Sequence, residues 1–231
     1  MIKAVFFDFY DTIVTFDPPR EELQVRACRE FGIQVDRSAI PYGYWVADDF
    51  MSRENARLSL QRRSREELQD FWATYEATLL RNAGVEISEE LALQIVTRLR
   101  ALDRKLALFD DVVPALADLK GKGVLIGLVS NLNHDLDSYC GRLGLTRHVD
   151  FAVTSFEVGA EKPHPPIFLA ALERAAVGAD EAIHVGDQYQ SDVVGARAAG
   201  INPILLDRHG FWRHLADCPR IATLADIPDY L

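Results

Sequence analysis

Apolar residues recur along the chain with two different textures, and the change from one to the other divides it. Ile2 to Phe7 is a short, mostly apolar run ended by Asp8 and an Asp11-Thr12 turn, which predicts a buried strand. Pro18-Pro19 then opens a helical stretch through Phe31. Ser64-Arg65-Glu66-Glu67 has the form of a capping box, and Leu68, Phe71, Trp72, Tyr75 and Leu79 follow at helical spacing. Ser88-Glu89-Glu90 starts another helix, with Leu91, Ile95, Leu99 and Leu102 on one face. Residues 17–105 therefore read as wholly helical.

Past Phe109 helix and strand signals alternate. Asp111 caps a helix through Leu119, which Gly121 and Gly123 end. Val124 to Val129 is a continuous apolar run, the pattern of a strand buried on both faces. Phe151–Val153, Ile183–Val185 and Ile204–Leu206 read as further strands. Pro166–Ala175 and Asp192–Ala199 read as helices between them, the latter closed by Gly200. Such alternation predicts an α/β fold: a doubly wound, Rossmann-like parallel sheet with helices on both faces. One strand precedes the helical block and the others follow it. The expected core is therefore residues 1–16 and 106–231, with residues 17–105 as an all-helical insertion.

Composition narrows the function classes. The chain has 231 residues and a formal net charge of −10, which argues against non-specific binding to nucleic acid or to an anionic membrane. Cys28, Cys140 and Cys218 are far apart and lack paired metal-ligand spacing, so free thiols in a reducing cytoplasm are expected. The opening apolar run is too short for a signal peptide or a membrane span. The partner expected is a small-molecule substrate, and a monomer and a homodimer fit the composition equally.

Candidate chemistry gathers where a doubly wound sheet places its sites, at the carboxyl ends of strands. The first strand ends in Asp8 and the second in Ser130-Asn131. Ile183–Val185 is followed by Gly186-Asp187, with Asp192 five residues later, and Lys162 stands just before a helix. Any one of these has a plain explanation as a cap, a turn or a solvated side chain. Together, three carboxylates at one sheet edge would repel one another unless a cation neutralised them, and all-oxygen ligands suit Mg²⁺. Ser130 and Lys162 could then hold an anionic oxygen, while the ammonium keeps Asp8 ionised.

At these residues the chain resembles the haloacid dehalogenase-like hydrolase superfamily. The motifs stand here as Asp8-Phe9-Tyr10-Asp11-Thr12, Val129-Ser130-Asn131, Lys162-Pro163 and Gly186-Asp187 with Asp192, in the family's order. The resemblance implies that the helical block is a cap over the site. It implies that Asp8 is a nucleophile forming an aspartyl-phosphate. It assigns Mg²⁺ to Asp8, Asp187 and the backbone carbonyl of Tyr10, with Asp192 supporting the metal or Lys162. Thr12, Ser130 and Lys162 would hold phosphoryl oxygens, with Asn131 and Tyr10 also at the substrate.

One departure matters. The family's phosphatases carry a general-acid aspartate two residues after the nucleophile, and here that residue is Tyr10. With a tyrosine pKa near ~10, it cannot act as a base near neutral pH. Three functions follow as expectations: a phosphatase favouring good leaving groups; a 2-haloacid dehalogenase-type hydrolase, which carries tyrosine at this offset; and a non-catalytic binding or regulatory module. Asp187 and Asp192 favour the metal-dependent phosphatase. Tyr42, Tyr44, Trp45, Arg53 and Arg57 are substrate-facing candidates in the helical block, with Phe16-Asp17-Pro18 as a hinge. Arg62, Arg63 and Arg65 are expected to form a solvated face. His184 reads as a satisfied core histidine, and His164 as a residue that helps orient Lys162.

Overall fold

Six strands pair in parallel in the computed structural model, which describes residues 1–132 and 136–231. In chain order, β1 (Ala4–Phe7) leads into β2 (Val14–Asp17), and four helices follow: α1 (Arg20–Glu30), α2 (Ile40–Arg57), α3 (Arg65–Asn82) and α4 (Glu89–Arg100). After β3 (Lys105–Leu108) come α5 (Val112–Gly121), β4 (Leu125–Ser130), α6 (Leu136–Arg142), β5 (Phe151–Thr154), α7 (Ser155–Val158) and α8 (Pro165–Ala175). The chain continues through β6 (Ala182–Gly186), a π-helical turn over Tyr189–Val194, α9 (Gly195–Ala198), β7 (Asn202–Leu206) and β8 (Arg220–Ile221). The large sheet has the order β5-β4-β1-β6-β7-β8, and β2 pairs with β3 in a separate two-stranded sheet.

The chain divides into two compact units, Met1–Thr15 with Ala107–Leu231, and Phe16–Leu106. In the first, β1 sits centrally and every residue of it is buried, as are all five of β6. Buried strands that pack on both faces have no polar alternation to display, which is why they read as continuous apolar runs. One face of the sheet closes over α8: Phe6, Val129 and Val153 share a core with Ile167, Phe168 and Ala171. Register then aligns the strand ends. Phe7 pairs with Leu128 on one side and Val185 on the other, so the residues just beyond, Asp8, Val129 and Gly186, lie level at one edge.

The second unit is helical, with its own core of Leu23, Ala27, Ile40, Tyr44, Phe71, Tyr75, Leu79 and Ile95 among others. The Ser64 capping box is present in full: Ser64 Oγ accepts from Glu67 N–H, and the Glu67 carboxylate accepts from Ser64 N–H at 2.7 Å. Among the described residues no helix is long and apolar enough to cross a membrane.

Several local expectations are corrected. Two strands that the sequence reading does not contain, β2 and β3, flank the helical stretch 17–105 and meet it only at Asp17 and Lys105. Four-residue strands are too short to show a period that separates them from adjoining helix. Asp111 precedes α5 but its side chain caps nothing there. It accepts instead from Arg208, Thr223 Oγ1 and Leu224 N–H at 2.8–3.0 Å. The Asp192–Ala199 segment opens as the π-helical turn before becoming α9. Arg63 is not part of a solvated face: its side chain is 11% exposed and pairs with Glu54 at 3.1 Å.

Candidate active site

Asp8 follows β1 directly, and its N–H donates to Val185 O at 2.9 Å, continuing the ladder one residue past the strand. The chain then turns tightly. Ile13 and Val14 N–H both donate to Phe9 O at 2.9 Å, and Asp11 takes a left-handed backbone with φ 56°. This turn holds Thr12 fully buried and ends Tyr10 in a bridge to Val14.

Lys162 reaches the same place from the loop before α8. Its main chain is clasped by the residue after β4: Lys162 N–H donates to Asn131 Oδ1 at 2.6 Å, and Asn131 Nδ2 donates to Lys162 O at 3.0 Å. The Lys162 ammonium, 2% exposed, then sits 2.5 Å from Asp8 Oδ1 and 2.7 Å from Asp192 Oδ1. Asp192 is fixed twice more. His184 Nε2 lies 2.9 Å from Oδ1, and Gln188 N–H donates to Oδ2 at 3.0 Å.

Two glycines make room for this packing. A Cβ on Gly186 would overlap the Asp192 carboxylate, so only glycine lets that carboxylate press against the end of β6. A Cβ on Gly195 would stand 2.7 Å from the Phe168 ring and 2.8 Å from Pro163 Cα, so α9 can approach the Lys162-Pro163 corner only without one.

The electrostatics follow from this burial. Desolvation is the largest influence on Asp8 and pushes its carboxyl up to about 6, against the pull of Lys162. Burial also acts to raise Asp192, but Lys162 and His184 outweigh it and hold that carboxyl well below the ordinary range. Burial works against the charge on Lys162, and the two carboxylates more than offset it, so the ammonium is held above its usual value. Desolvation lowers His184. A neutral His184 therefore donates from Nε2 to an acceptor-only carboxylate, and its Nδ1 is buried without a hydrogen-bond partner.

Asp187, after β6, completes the acidic group. Asp8, Asp187 and Asp192 each offer an oxygen, and these oxygens lie within 4.8 Å of one another. Such a cluster of hard oxygen donors fits a divalent cation such as Mg²⁺. Thr12 Oγ1 donates to Asp187 Oδ1 at 3.2 Å, and Trp212 Nε1 donates to Asp187 O at the same distance. Ser130 ends β4, 2% exposed.

The structure thus brings Asp8, Thr12, Asn131, Lys162, Asp187 and Asp192 into one connected network, with Tyr10 and Ser130 on the same strand ends. It does not give His164 the role expected of it: that residue is exposed, and Lys162 is held through Asn131, Asp8 and Asp192 among its described contacts. In the helical unit, Tyr44 is buried, and Arg53 and Arg57 pair with Asp49 and Glu54 at 2.8 Å. The sequence reading passed over Trp212 and Arg208. The signal was there in weak form, because Asp207-Arg208 is another acidic-basic pair directly after a core strand.

Comparison with known proteins agrees with this architecture. Residues 2–200 match the haloacid dehalogenase-like hydrolase family. The chain is 30% identical over 240 residues to a glyceraldehyde 3-phosphate phosphatase of Methanopyrus kandleri, covering 100% of this chain and 92% of that one. It is 29% identical over 211 residues to a ribulose-1,5-bisphosphate 5-phosphatase of Halopiger xanaduensis, covering 90% and 85%. The crystal structure of a 2-haloacid dehalogenase from Pseudomonas syringae pv. Tomato DC3000 superposes with a TM-score of 0.57 at 27% identity, covering 99% and 97%. The chain belongs to the haloacid dehalogenase-like hydrolases and is an enzyme of that class.

Proposed function

We propose that the protein is a Mg²⁺-dependent phosphatase acting on a small phosphorylated metabolite through an aspartyl-phosphate on Asp8. The observation that carries this reading is the buried Lys162 ammonium shared between Asp8 and Asp192, with Asp187 alongside. Names of the two relatives above, both phosphatases, support it.

Asp8, Asp187 and the Tyr10 backbone carbonyl would hold the ion, with Asp192 adding negative charge from behind. Bound there, Mg²⁺ would offset charge on the transferring phosphoryl group and favour the ionised form of Asp8. Asp8 attacks phosphorus with one carboxylate oxygen as the bond to the ester oxygen breaks. Lys162 and Ser130 meet the phosphoryl oxygens, and Lys162 does so already dehydrated by burial. Thr12 holds Asp187, and Asn131 holds the Lys162 main chain. Water then attacks phosphorus, the bond from phosphorus to the Asp8 oxygen breaks, and inorganic phosphate leaves with the Asp8 carboxylate restored. Tyr10 stands where a carboxylate would serve as general acid and then as base, so without that carboxylate the reaction favours good leaving groups such as aryl and acyl phosphates.

A screen of phosphate esters with Mg²⁺ tests this. Hydrolysis of p-nitrophenyl phosphate is expected, with loss in Asp8→Asn. Tyr10→Asp is expected to gain activity on alkyl phosphates, up to the ~10²–10⁴-fold that general acid–base help supplies. Tyr10 also favours a second reading, carbon–halogen hydrolysis, in which halide leaves without a proton. Chloride release from 2-chloropropionate in EDTA, with no turnover of p-nitrophenyl phosphate, would replace the first reading by the second.

A further inference from the structure

Asp192 and Asp187 are held in different ways. Asp192 is gripped by the Lys162 ammonium, by His184 and by a backbone N–H, all inside the site. Asp187 is only half-buried, and its contacts with Thr12 and Trp212 lead outward, directly or through Thr12, to the turn that follows β7.

That turn is built rigidly. Asp207, 6% exposed, accepts from Phe211 N–H at 2.8 Å and Trp212 N–H at 3.1 Å, and pairs with Arg220 at 2.9 Å. Trp212 is 6% exposed and lies against Tyr189 and His214, with its indole N–H on Asp187 O. Arg208 reaches the other way. Its guanidinium grips Asp111 with two nitrogens at 2.8 and 3.0 Å, stacks 4.1 Å from the Phe109 ring, and donates from Nη2 to Thr12 O at 3.0 Å. Asp111 is ready for that grip. Burial works against its charge, but Arg208, Leu224 N–H and Thr223 together hold its carboxyl below the usual range.

We propose that Arg208 and Trp212 are positioning residues for the cation site. Arg208 locks the main chain of Thr12, whose hydroxyl holds the Asp187 carboxylate, and Trp212 locks the Asp187 main chain. The Asp207–Trp212 turn thereby presets the direction of one carboxylate of the acidic cluster before any ion arrives. This deepens the metal-dependent reading above and rests on it. Neither residue touches substrate, and both act through Asp187. Partners behind a metal ligand typically set affinity by roughly 10–100-fold.

The test is Mg²⁺ titration by calorimetry of the wild-type protein, Trp212→Phe, Arg208→Lys and Asp187→Asn, beside turnover of p-nitrophenyl phosphate as a function of Mg²⁺. Trp212→Phe keeps an aromatic ring and deletes the donor. Arg208→Lys keeps the charge and loses the fork. Each is expected to raise the Mg²⁺ Kd about 10-fold while turnover returns toward wild type at saturating Mg²⁺. A purely structural role would lower the melting temperature and leave the Kd of the folded protein unchanged. Should Trp212→Phe not fold, Arg208→Lys carries the comparison. Wild-type binding that Asp187→Asn abolishes, but that neither positioning variant weakens beyond twofold, overturns this inference alone. No Mg²⁺ binding by the wild type overturns the metal-dependent reading and this inference with it.

Discussion

Asp8 and Asp192 are both aspartates in contact with one lysine, yet they titrate in opposite directions. The difference lies in what else surrounds them. Asp192 has the ammonium, an imidazole N–H and a backbone N–H on its two oxygens, so its charge is fully solvated by the protein. Asp8 shares the ammonium and feels the negative charge of Asp192 besides its own desolvation. In the metal-free protein the Asp8 carboxyl is expected to take up a proton as pH falls through about 6, while Asp192 remains ionised. Asp192→Asn removes a like charge that raises the Asp8 pKa, so the Asp8 midpoint should move to lower pH. Carboxyl-carbon NMR of aspartate-labelled protein measures both. An unchanged midpoint would show that the Asp192 charge does not help set it and that burial and Lys162 do. The sequence placed Asp8, Lys162 and Asp192 together because each follows a core strand or precedes a core helix. It could not rank their pKa values, which depend on who else reaches the same oxygen.

At the scale of elements, the apolar runs were legible and the connections were not. β1 and β4 announce themselves as short apolar segments, β6 and β7 by apolar pairs and triplets around His184 and after Pro203, and α3 and α4 by Ser caps followed by acidic first turns. The expected helix over Asp192–Ala199 begins three residues earlier, as a π-helical turn from Tyr189 to Val194, which the sequence does not signal because such a turn has no composition of its own. Tertiary demands shape it: it must bring the Asp192 carboxylate back against Gly186. Gly195→Ala tests that packing. The added methyl has no room between Phe168 and Pro163, and a stability loss of ~1–3 kcal/mol is expected from overpacking. Thermal melts and Mg²⁺-dependent turnover should fall together, since the same displacement moves Pro163 and hence Lys162. By contrast, Ser64→Ala should cost about 1 kcal/mol through the lost cap of α3 and leave kcat unchanged. Chemical denaturation and steady-state assays separate the two cases.

At the scale of the molecule, every residue proposed for the chemistry lies in the unit formed by Met1–Thr15 and Ala107–Leu231. The two cut ends of that unit lie close, since Phe109 N–H donates to Ile13 O at 3.3 Å. A protein in which a short Gly-Ser linker replaces residues 16–106 is therefore expected to fold cooperatively and to bind Mg²⁺. It should still hydrolyse p-nitrophenyl phosphate, though with less discrimination among larger esters, if the helical unit selects substrate as the family resemblance implies. Circular dichroism, calorimetry and the ester screen check each point. Loss of Mg²⁺ binding in a folded core would show that the helical unit completes the site.

By itself the amino-acid sequence determined the class of fold, the order of motifs and the candidate nucleophile. Those features are local: hydrophobic period, strand-end residues and caps act within a few positions of the chain. Only the tertiary structure decided that Asn131 clasps Lys162, that Thr12 serves Asp187, and that Arg208, Trp212 and Asp111 belong to the site's support at all. Those pairs are separated by 25–196 positions. No periodicity encodes such pairings, because they arise from parallel register, which brings strand ends from across the chain to one edge of the sheet.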